Sequence, residues 1–180
     1  MVKKRHLSTR IPRLGWILAF GLMFPGTLQG LDLPSELSTL THSAEQVFQG
    51  TCVAVREATV EVGGARLAAT TYVFEVHDHL KGTASRRVEF RQVGRPEGGP
   101  GDLGFEVGLP TYRVGTDYLL FLLPASRVGL TSPAGAAEGA FRLVGDRVQP
   151  LATGHGLRLP PTESFSYDAL RAAVRREMAP

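Results

Sequence analysis

The sequence contains one cysteine in 180 residues, and it lacks the motifs that mark most enzyme active sites. A single cysteine excludes an internal disulfide, so burial of apolar side chains must stabilise the fold. The sequence contains no His-Glu-x-x-His zinc motif, no Gly-x-Ser-x-Gly nucleophile turn and no phosphate loop ending in Gly-Lys-Ser/Thr. These absences predict a non-catalytic protein that holds no cofactor.

The cysteine itself has the sequence surroundings of a core residue. Cys52 lies within residues 47–55, an apolar stretch that is typical of a β-strand. A reactive thiol needs an accessible, electropositive setting, and no neighbouring residue supplies one. We therefore predict that Cys52 is a small buried side chain and not a nucleophile.

Clustered cations are missing from all but the start of the chain. The sequence pI is about 9.3, but residues 1–30 contain five Lys and Arg residues and no acid. The remaining 150 residues carry 15 basic and 17 acidic side chains. Because a surface that follows a phosphate backbone needs clustered cations, we predict no nucleic-acid binding.

No apolar stretch reaches the roughly 20 residues that a membrane-spanning helix needs. A basic segment leads into eleven apolar or glycine residues at 14–24, which end at Pro25-Gly26. This order is typical of a secretory signal. It predicts a signal peptide at residues 1–30, a secreted or periplasmic protein, and no stable membrane span once the leader is removed. An uncleaved N-terminal anchor is the alternative.

The strongest structural signal is the apolar run from Tyr118 to Leu123, bounded by Gly115 and Pro124. No polar residues alternate with the apolar ones in this run, so both faces of the element must be buried. It is too short for a typical helix and is bounded by turn residues, which favours a strand. We predict that it is the central strand of the core.

The other segments predict a mainly β protein. We expect a long hairpin across Gly63-Gly64, a second hairpin across Gly145-Asp146, and about seven strands in all. Helical spacing predicts one helix over residues 32–44 and another that begins at Ser166 and exposes its arginines. Long antiparallel strands in fewer than 150 residues suggest a single barrel domain over residues 31–180.

Three stretches carry a resemblance to a known family: residues 44–50, residues 72–82 and residues 114–121. Together they resemble secreted bacterial proteins whose fold is similar to the OB-like barrel of tissue inhibitors of metalloproteases and netrin modules. The resemblance covers residues 44–123. It implies an OB-like antiparallel barrel with a short helix near each end, and a role in binding another protein or an envelope component. Those inhibitors chelate the protease zinc through an N-terminal cysteine. Cys52 lies well inside the chain, so that mechanism is not implied.

One group of residues suggests metal chemistry instead. Glu75, His77 and His79 alternate along a predicted strand, which would place their side chains on one face. Two imidazoles on one face can bind one metal ion, with His42, His155 or Glu75 as a third ligand. The alternative is a polar outer face. A metal-binding protein or metal-dependent enzyme thus stays open as a second hypothesis.

Two loops are the predicted contact surfaces, because loops on a rigid barrel tend to carry function. Residues 94–108 are rich in glycine and predict a mobile surface loop, so residues 95–109 are one candidate, and residues 132–139 are the other.

A third hypothesis is a carrier of one small apolar ligand inside the barrel. The apolar run and four phenylalanines predict that the interior is filled: Phe48, Phe74, Phe90 and Phe141.

Overall fold

The computed structural model describes residues 33–151 and 165–179, all within one compact unit that spans residues 31–180. The predicted signal peptide lies outside the described residues. The helices are α1 (Leu33–Ser43), α2 (Leu103–Glu106) and α3 (Tyr167–Glu177), and a 3-10 turn forms at Ala136–Gly139. The strands are β1 (Gln46–Val62), β2 (Ala65–Lys81), β3 (Arg87–Val93), β4 (Asp117–Leu122), β5 (Ala140–Val144), β6 (Arg147–Pro150) and β7 (Phe165–Ser166). A mainly β fold with a helix near each end of the domain is confirmed.

The seven strands form one antiparallel sheet in the order β3-β2-β1-β4-β5-β6-β7. The expected barrel is wrong in one respect, because this sheet is not closed. Its edge strands β3 and β7 do not pair within the described residues, and irregular chain lies along β3 instead. There the amide of Thr131 donates to the carbonyl of Arg91 at 2.8 Å, beside an isolated bridge to Leu130.

The predicted central strand is confirmed. β4 is the middle strand of the sheet, with three strands on each side. Five of its six residues are buried. Successive side chains of β4 enter apolar clusters on opposite faces of the sheet. Neither face meets solvent, which is why the run contains no polar residues.

The long hairpin is also confirmed. Each of its strands has 17 residues, and they join at Gly63 and Gly64. These two residues have φ values of +57° and +82°, a region that glycine adopts without steric cost. Glycine occupies both positions because the backbone there has positive φ, and this is why the glycine pair predicted the turn.

One face of the sheet is covered by α1 and α3, and we call its core the helix-side cluster. Most of its members are aliphatic, and nearly all are inaccessible to solvent. They are Leu37, Ala44, Val47, Leu80, Leu119, Phe121, Ala134, Phe141, Val148, Leu170 and Val174.

The other face carries the aromatic cluster. Residues 130–133 bridge to Arg91 on β3 and to Leu122 on β4, so the sheet curls around this cluster. Six of its members have aromatic rings, and the centroids of the paired rings lie 4.8–6.0 Å apart. The cluster consists of Phe48, Cys52, Tyr72, Phe74, Val88, Phe90, Tyr112, Tyr118, Leu120, Leu122 and Ala140.

Two glycines and one lysine in the stretches that carried the resemblance have structural roles here. A Cβ atom on Gly50 would lie 2.4 Å from the carbonyl oxygen of Glu75 on the neighbouring strand. Gly82 has a φ of +92°, and its Cβ would lie 2.6 Å from the carbonyl oxygen of Glu45. The Nζ of Lys81 donates to the carbonyls of Thr41 and Ala44 at 2.6 and 2.7 Å. The two glycines allow neighbouring backbone to approach closely, and the hydrogen bonds of Lys81 attach β2 to the end of α1.

The helix α3 is attached to the sheet by polar contacts as well as by apolar packing. Asp78 on β2 accepts a hydrogen bond from the hydroxyl of Tyr167 at 2.9 Å. The guanidinium groups of Arg171 and Arg175 lie 3.4 and 3.6 Å from the same carboxylate. Arg175 is exposed as predicted and Arg171 is partly exposed, but both also pair with Asp78, which the sequence did not predict.

Candidate functional site

The structure separates the two histidines of the suggested metal site. The pairing of β1 with β2 shifts register between Gln49 and Gly50, where His77 has no partner in the ladder. This extra residue resets the alternation of side chains along β2. His79 pairs opposite Phe48, whose side chain lies in the aromatic cluster, while His77 contacts Thr51 on the other face. The expectation that both imidazoles share a face is wrong.

The Nε2 atom of His77 already has a polar partner. It lies 2.7 Å from the hydroxyl oxygen of Thr51, and that hydroxyl donates to the carboxylate of Asp117. Since the only proton of the hydroxyl is used by Asp117, the ring nitrogen must be the donor in its contact with Thr51. With a proton on Nε2, this nitrogen has no lone pair for a metal, and only Nδ1 of the ring could bind one.

The remaining proposed ligands do not complete a site. Glu75 is exposed, and the Nδ1 of His42 lies 2.8 Å from the carbonyl oxygen of Ser38. His155 lies outside the described residues. Across residues 33–151 and 165–179, no three His, Cys, Asp or Glu side chains are placed to hold a metal ion.

Cys52 is fully buried in the aromatic cluster, as predicted. Burial raises the pKa of its thiol to about 11, against an ordinary value of 9.0. The thiolate is the nucleophilic form, so this environment suppresses the chemistry that a cysteine can offer.

The glycine-rich loop after β3 is an organised structure, and we refer to residues 94–109 as the 94–109 loop. It contains the single-turn helix α2, which the sequence did not predict. The buried carboxylate of Asp102 organises it: one oxygen accepts from the amide of Arg95 at 2.9 Å, and the other accepts from the amides of Gly104 and Phe105. Three backbone donors on one carboxylate define the conformation of the loop.

The ends of this loop are also attached to the sheet. The amide of Gly94 donates to the carbonyl of Ala68, and the hydroxyl of Thr70 donates to the carbonyl of Gly94 at 2.7 Å. At the other end, Nε2 of Gln92 donates to the carbonyl of Pro110 at 2.8 Å. The loop is therefore a fixed extension of β2 and β3.

The helical turn of this loop exposes large apolar side chains. Leu103, Phe105 and Val107 are 47%, 50% and 52% exposed. The other predicted contact loop, residues 132–139, differs, because its Ala134 and Ala137 are buried. Only the first of the two predicted contact loops therefore presents such side chains to solvent.

A groove of about 410 Å³ lies beside α2, between the end of β3 and the loop. Its walls combine apolar groups, such as Phe105 and Leu109, with the polar side chains of Gln92, Arg95 and Glu97. The volume falls in the range of about 300–1,000 Å³ that small-molecule sites occupy. The inside of the curled sheet, by contrast, is filled by the rings of the aromatic cluster.

No described helix combines the length and the apolar character needed to cross a bilayer. No protein-family model matches the sequence. A comparison with curated proteins likewise gives no significant match.

The sequence signals for this site were incomplete. The glycines and prolines indicated a loop, but Asp102 looked like one surface acid among 17. Asp is a preferred helix N-cap residue, and that preference at Asp102 is the one signal that could have indicated α2. The role of Gln92 had no local signal, because it depends on Pro110, which lies 18 residues further along the chain.

Proposed function

We propose that this protein is an exported, non-catalytic binding module that recognises another exported protein through the 94–109 loop. The observation that carries the proposal is the exposure of Leu103, Phe105 and Val107 on one fixed turn. Nine large apolar side chains are exposed in the described residues, and three of them fall within these five positions. Such concentrations on a folded surface mark sites of contact with other molecules.

The preorganised loop also favours binding. A loop that is ordered only on association loses conformational entropy at that moment, and the loss weakens affinity. Here the hydrogen bonds to Asp102 and the attachment to β2 and β3 hold the loop in place beforehand. A partner would therefore meet exposed apolar side chains that are held in fixed positions.

The proposal includes an OB-like architecture and export to the periplasm or medium. The long bulged hairpin, the curled sheet and the helix-covered outer face support the first part. The basic and apolar leader of the sequence supports export.

Mass spectrometry of the protein recovered from its natural host would test export: a mature N-terminus near Leu31 is expected, and retention of Met1 would contradict a cleaved signal.

The binding proposal is tested by affinity capture from periplasm or culture medium. A Leu103→Ser/Phe105→Ser/Val107→Ser variant should lose the captured protein, because it removes the apolar contact area. A control variant, Val62→Ser/Val114→Ser/Val144→Ser, changes three valines of similar exposure elsewhere and should retain it. Equal capture by the two variants would contradict a role for the loop, and capture of nothing by the wild-type protein would contradict the function itself.

A further inference from the structure

The groove beside α2 and the exposed apolar turn are parts of one surface. Phe105 lines the groove, and it is also 50% exposed on the turn, between Leu103 and Val107. A molecule that covers the ring of Phe105 therefore lies at the groove as well. The proposed binding surface thus continues into a concave site.

The groove has room for one aromatic side chain. Its volume is about 410 Å³. A cavity of about 150 Å³ can hold benzene, so the groove can take a ring together with part of the main chain that carries it. Wall atoms that have no partner lose dispersion contacts, and a large side chain therefore fits this space better than a small one.

The walls of the groove favour an uncharged, apolar occupant. Leu109 and Leu151 offer apolar contact. The exposed charged side chains on the walls are those of Arg95 and Glu97, one cation and one anion. The buried carboxylate of Asp102 already accepts hydrogen bonds from three backbone amides. Because the exposed charges cancel, the groove does not select an ion, and apolar contact determines what binds.

The groove is formed before a partner arrives. On one side α2 packs directly against the end of β3, since a Cβ atom on Gly104 would lie 2.6 Å from the carbonyl oxygen of Val93. On the other side Nε2 of Gln92 donates to the carbonyl of Pro110 at 2.8 Å. A side chain can therefore enter without the cost of ordering the walls.

We propose that the protein recognised by the 94–109 loop inserts one aromatic side chain into this groove, while the residues beside that side chain cover Leu103 and Val107. The inserted ring packs against Phe105 and Leu109. Aromatic side chains buried in pockets supply much of the affinity at protein interfaces. The inference names the contact chemistry of the partner, and it rests on the function proposed above.

The first experiment tests the groove alone, with probes that carry a peptide backbone and one side chain. The probes are the N-acetyl methylamides of phenylalanine, leucine and alanine. In NMR titrations of the full chain, the phenylalanine probe should shift the backbone amide signals of Gly98, Gly104 and Leu109, with the millimolar affinity typical of fragments. The leucine probe should bind more weakly, and the alanine probe at least about tenfold more weakly, because less apolar area is buried.

Two results would overturn the proposal at this stage. One is the absence of shifts at these three amides with the phenylalanine probe. The other is a leucine or alanine probe of equal affinity, which would show that the ring is not recognised. Both comparisons use the wild-type protein, so they stand even if a groove variant fails to fold.

The second experiment fills the groove from the protein side. Thr111 is exposed and lines the groove, so Thr111→Trp adds a ring there and leaves the apolar turn unchanged. Thr83→Trp is the matched control, because Thr83 is exposed at the opposite end of the hairpin formed by β2 and β3. Thr111→Trp should abolish the shifts caused by the phenylalanine probe and reduce capture of the partner at least about tenfold. Thr83→Trp should change neither.

Comparison with the Leu103→Ser/Phe105→Ser/Val107→Ser variant separates the two ways of failing. If that variant loses the captured protein while Thr111→Trp retains it, the proposed function stands and the groove inference is wrong. If that variant retains the captured protein, the proposed function is wrong and the inference fails with it. We expect both variants to lose the captured protein, and an excess of the phenylalanine probe, but not of the alanine probe, to release it from the wild type.

Discussion

The two faces of the sheet are built differently. The helix-side cluster is largely aliphatic and lies under α1 and α3, which polar contacts from Lys81 and Asp78 hold to the sheet. The aromatic cluster is covered mainly by the curl of the sheet and by irregular chain around Tyr112. The exposed apolar turn and the groove both lie in the loop that follows β3, an edge strand that contributes Val88 and Phe90 to the aromatic cluster.

Under the proposed function, the helix-covered face and the face that carries the binding surface are different faces of the sheet. Regular helices cover one face and leave little to recognise, because their backbone groups are satisfied internally. Irregular chain on the other face needs side-chain contacts such as those of Asp102, and it presents groups that a partner can reach. The proposed binding surface therefore lies on the aromatic side of the molecule.

The largest expected effect compares the centres of the two clusters. Phe74 and Phe121 are both fully buried, but among the described residues the ring of Phe74 contacts four other rings while that of Phe121 contacts only Phe141. Truncating a buried phenylalanine to alanine costs about 3–5 kcal/mol. Phe74→Ala should lie at the upper end, since aromatic pairs add about 0.5–1.5 kcal/mol each.

Urea unfolding of Phe74→Ala and Phe121→Ala measures this difference, with Phe74→Leu as the control that keeps most of the volume. A larger loss for Phe121→Ala would show that the helix-side cluster, and not the aromatic cluster, dominates the stability of the sheet.

The second prediction concerns the attachment of α1. The ammonium of Lys81 donates to three carbonyls at or beyond the end of this helix, those of Thr41, His42 and Ala44. Lys81→Met keeps the aliphatic stem and removes the charged donor, which should cost about 1.5–3 kcal/mol in the free energy of unfolding. Arg66→Met is the control, because it removes a cation from an exposed position near the turn of the long hairpin. Urea unfolding should show a change of less than about 0.5 kcal/mol for this control, and an equally small change for Lys81→Met would contradict the attachment.

The third prediction uses the pKa of Cys52. Its folded-state pKa of about 11 lies above the ordinary 9.0, so the folded protein holds this proton more tightly than the unfolded chain. The resulting stability is complete below pH 9 and is lost as pH rises toward 11, by about 1 kcal/mol at pH 10.

Unfolding midpoints at pH 7, 9 and 10 test this for the wild type and Cys52→Ala. The variant should lose less stability than the wild type between pH 9 and 10. Tyr72, whose pKa burial raises to about 12 from 10.0, should still cause both proteins to weaken at higher pH. Parallel pH curves for the two proteins below pH 10 would contradict the assignment.

The smallest expected effects distinguish two tyrosines of the aromatic cluster. The hydroxyl of Tyr118 accepts a hydrogen bond from the amide of Arg113 at 3.0 Å, whereas the buried hydroxyl of Tyr112 has no partner among the described residues. Tyr118→Phe should cost about 1 kcal/mol, while Tyr112→Phe should be neutral or slightly stabilising. A substantial loss in Tyr112→Phe, measured by urea unfolding, would reveal a partner for its hydroxyl.

Local patterns predicted most of the strands and both long helices. The run around Leu120 is typical of a strand buried on both faces, and Gly63-Gly64 between alternating segments is typical of a tight turn. These features depend on neighbours in the sequence. The closure of the sheet depends instead on where β3 lies relative to residues 130–133, and no local pattern contains that information.

The candidate sites show the same limit. The bulge at His77 separates it from His79, although the sequence spacing alone places them on one face. The conformation of the 94–109 loop depends on contacts from Asp102 to amides up to seven residues away, and the groove depends on the bond from Gln92 to Pro110. Each of these features requires the folded chain.

The central claim is that the 94–109 loop of the proposed module binds the partner, whereas the attachment of α1 to the sheet serves stability alone. Measuring capture yield and unfolding midpoint on the same two variants tests it directly. Leu103→Ser/Phe105→Ser/Val107→Ser should lose the partner and keep its midpoint, while Lys81→Met should lower its midpoint and, at a temperature where it is folded, keep the partner. If the loop variant kept the partner, or if Lys81→Met lost it while folded, the account would be contradicted.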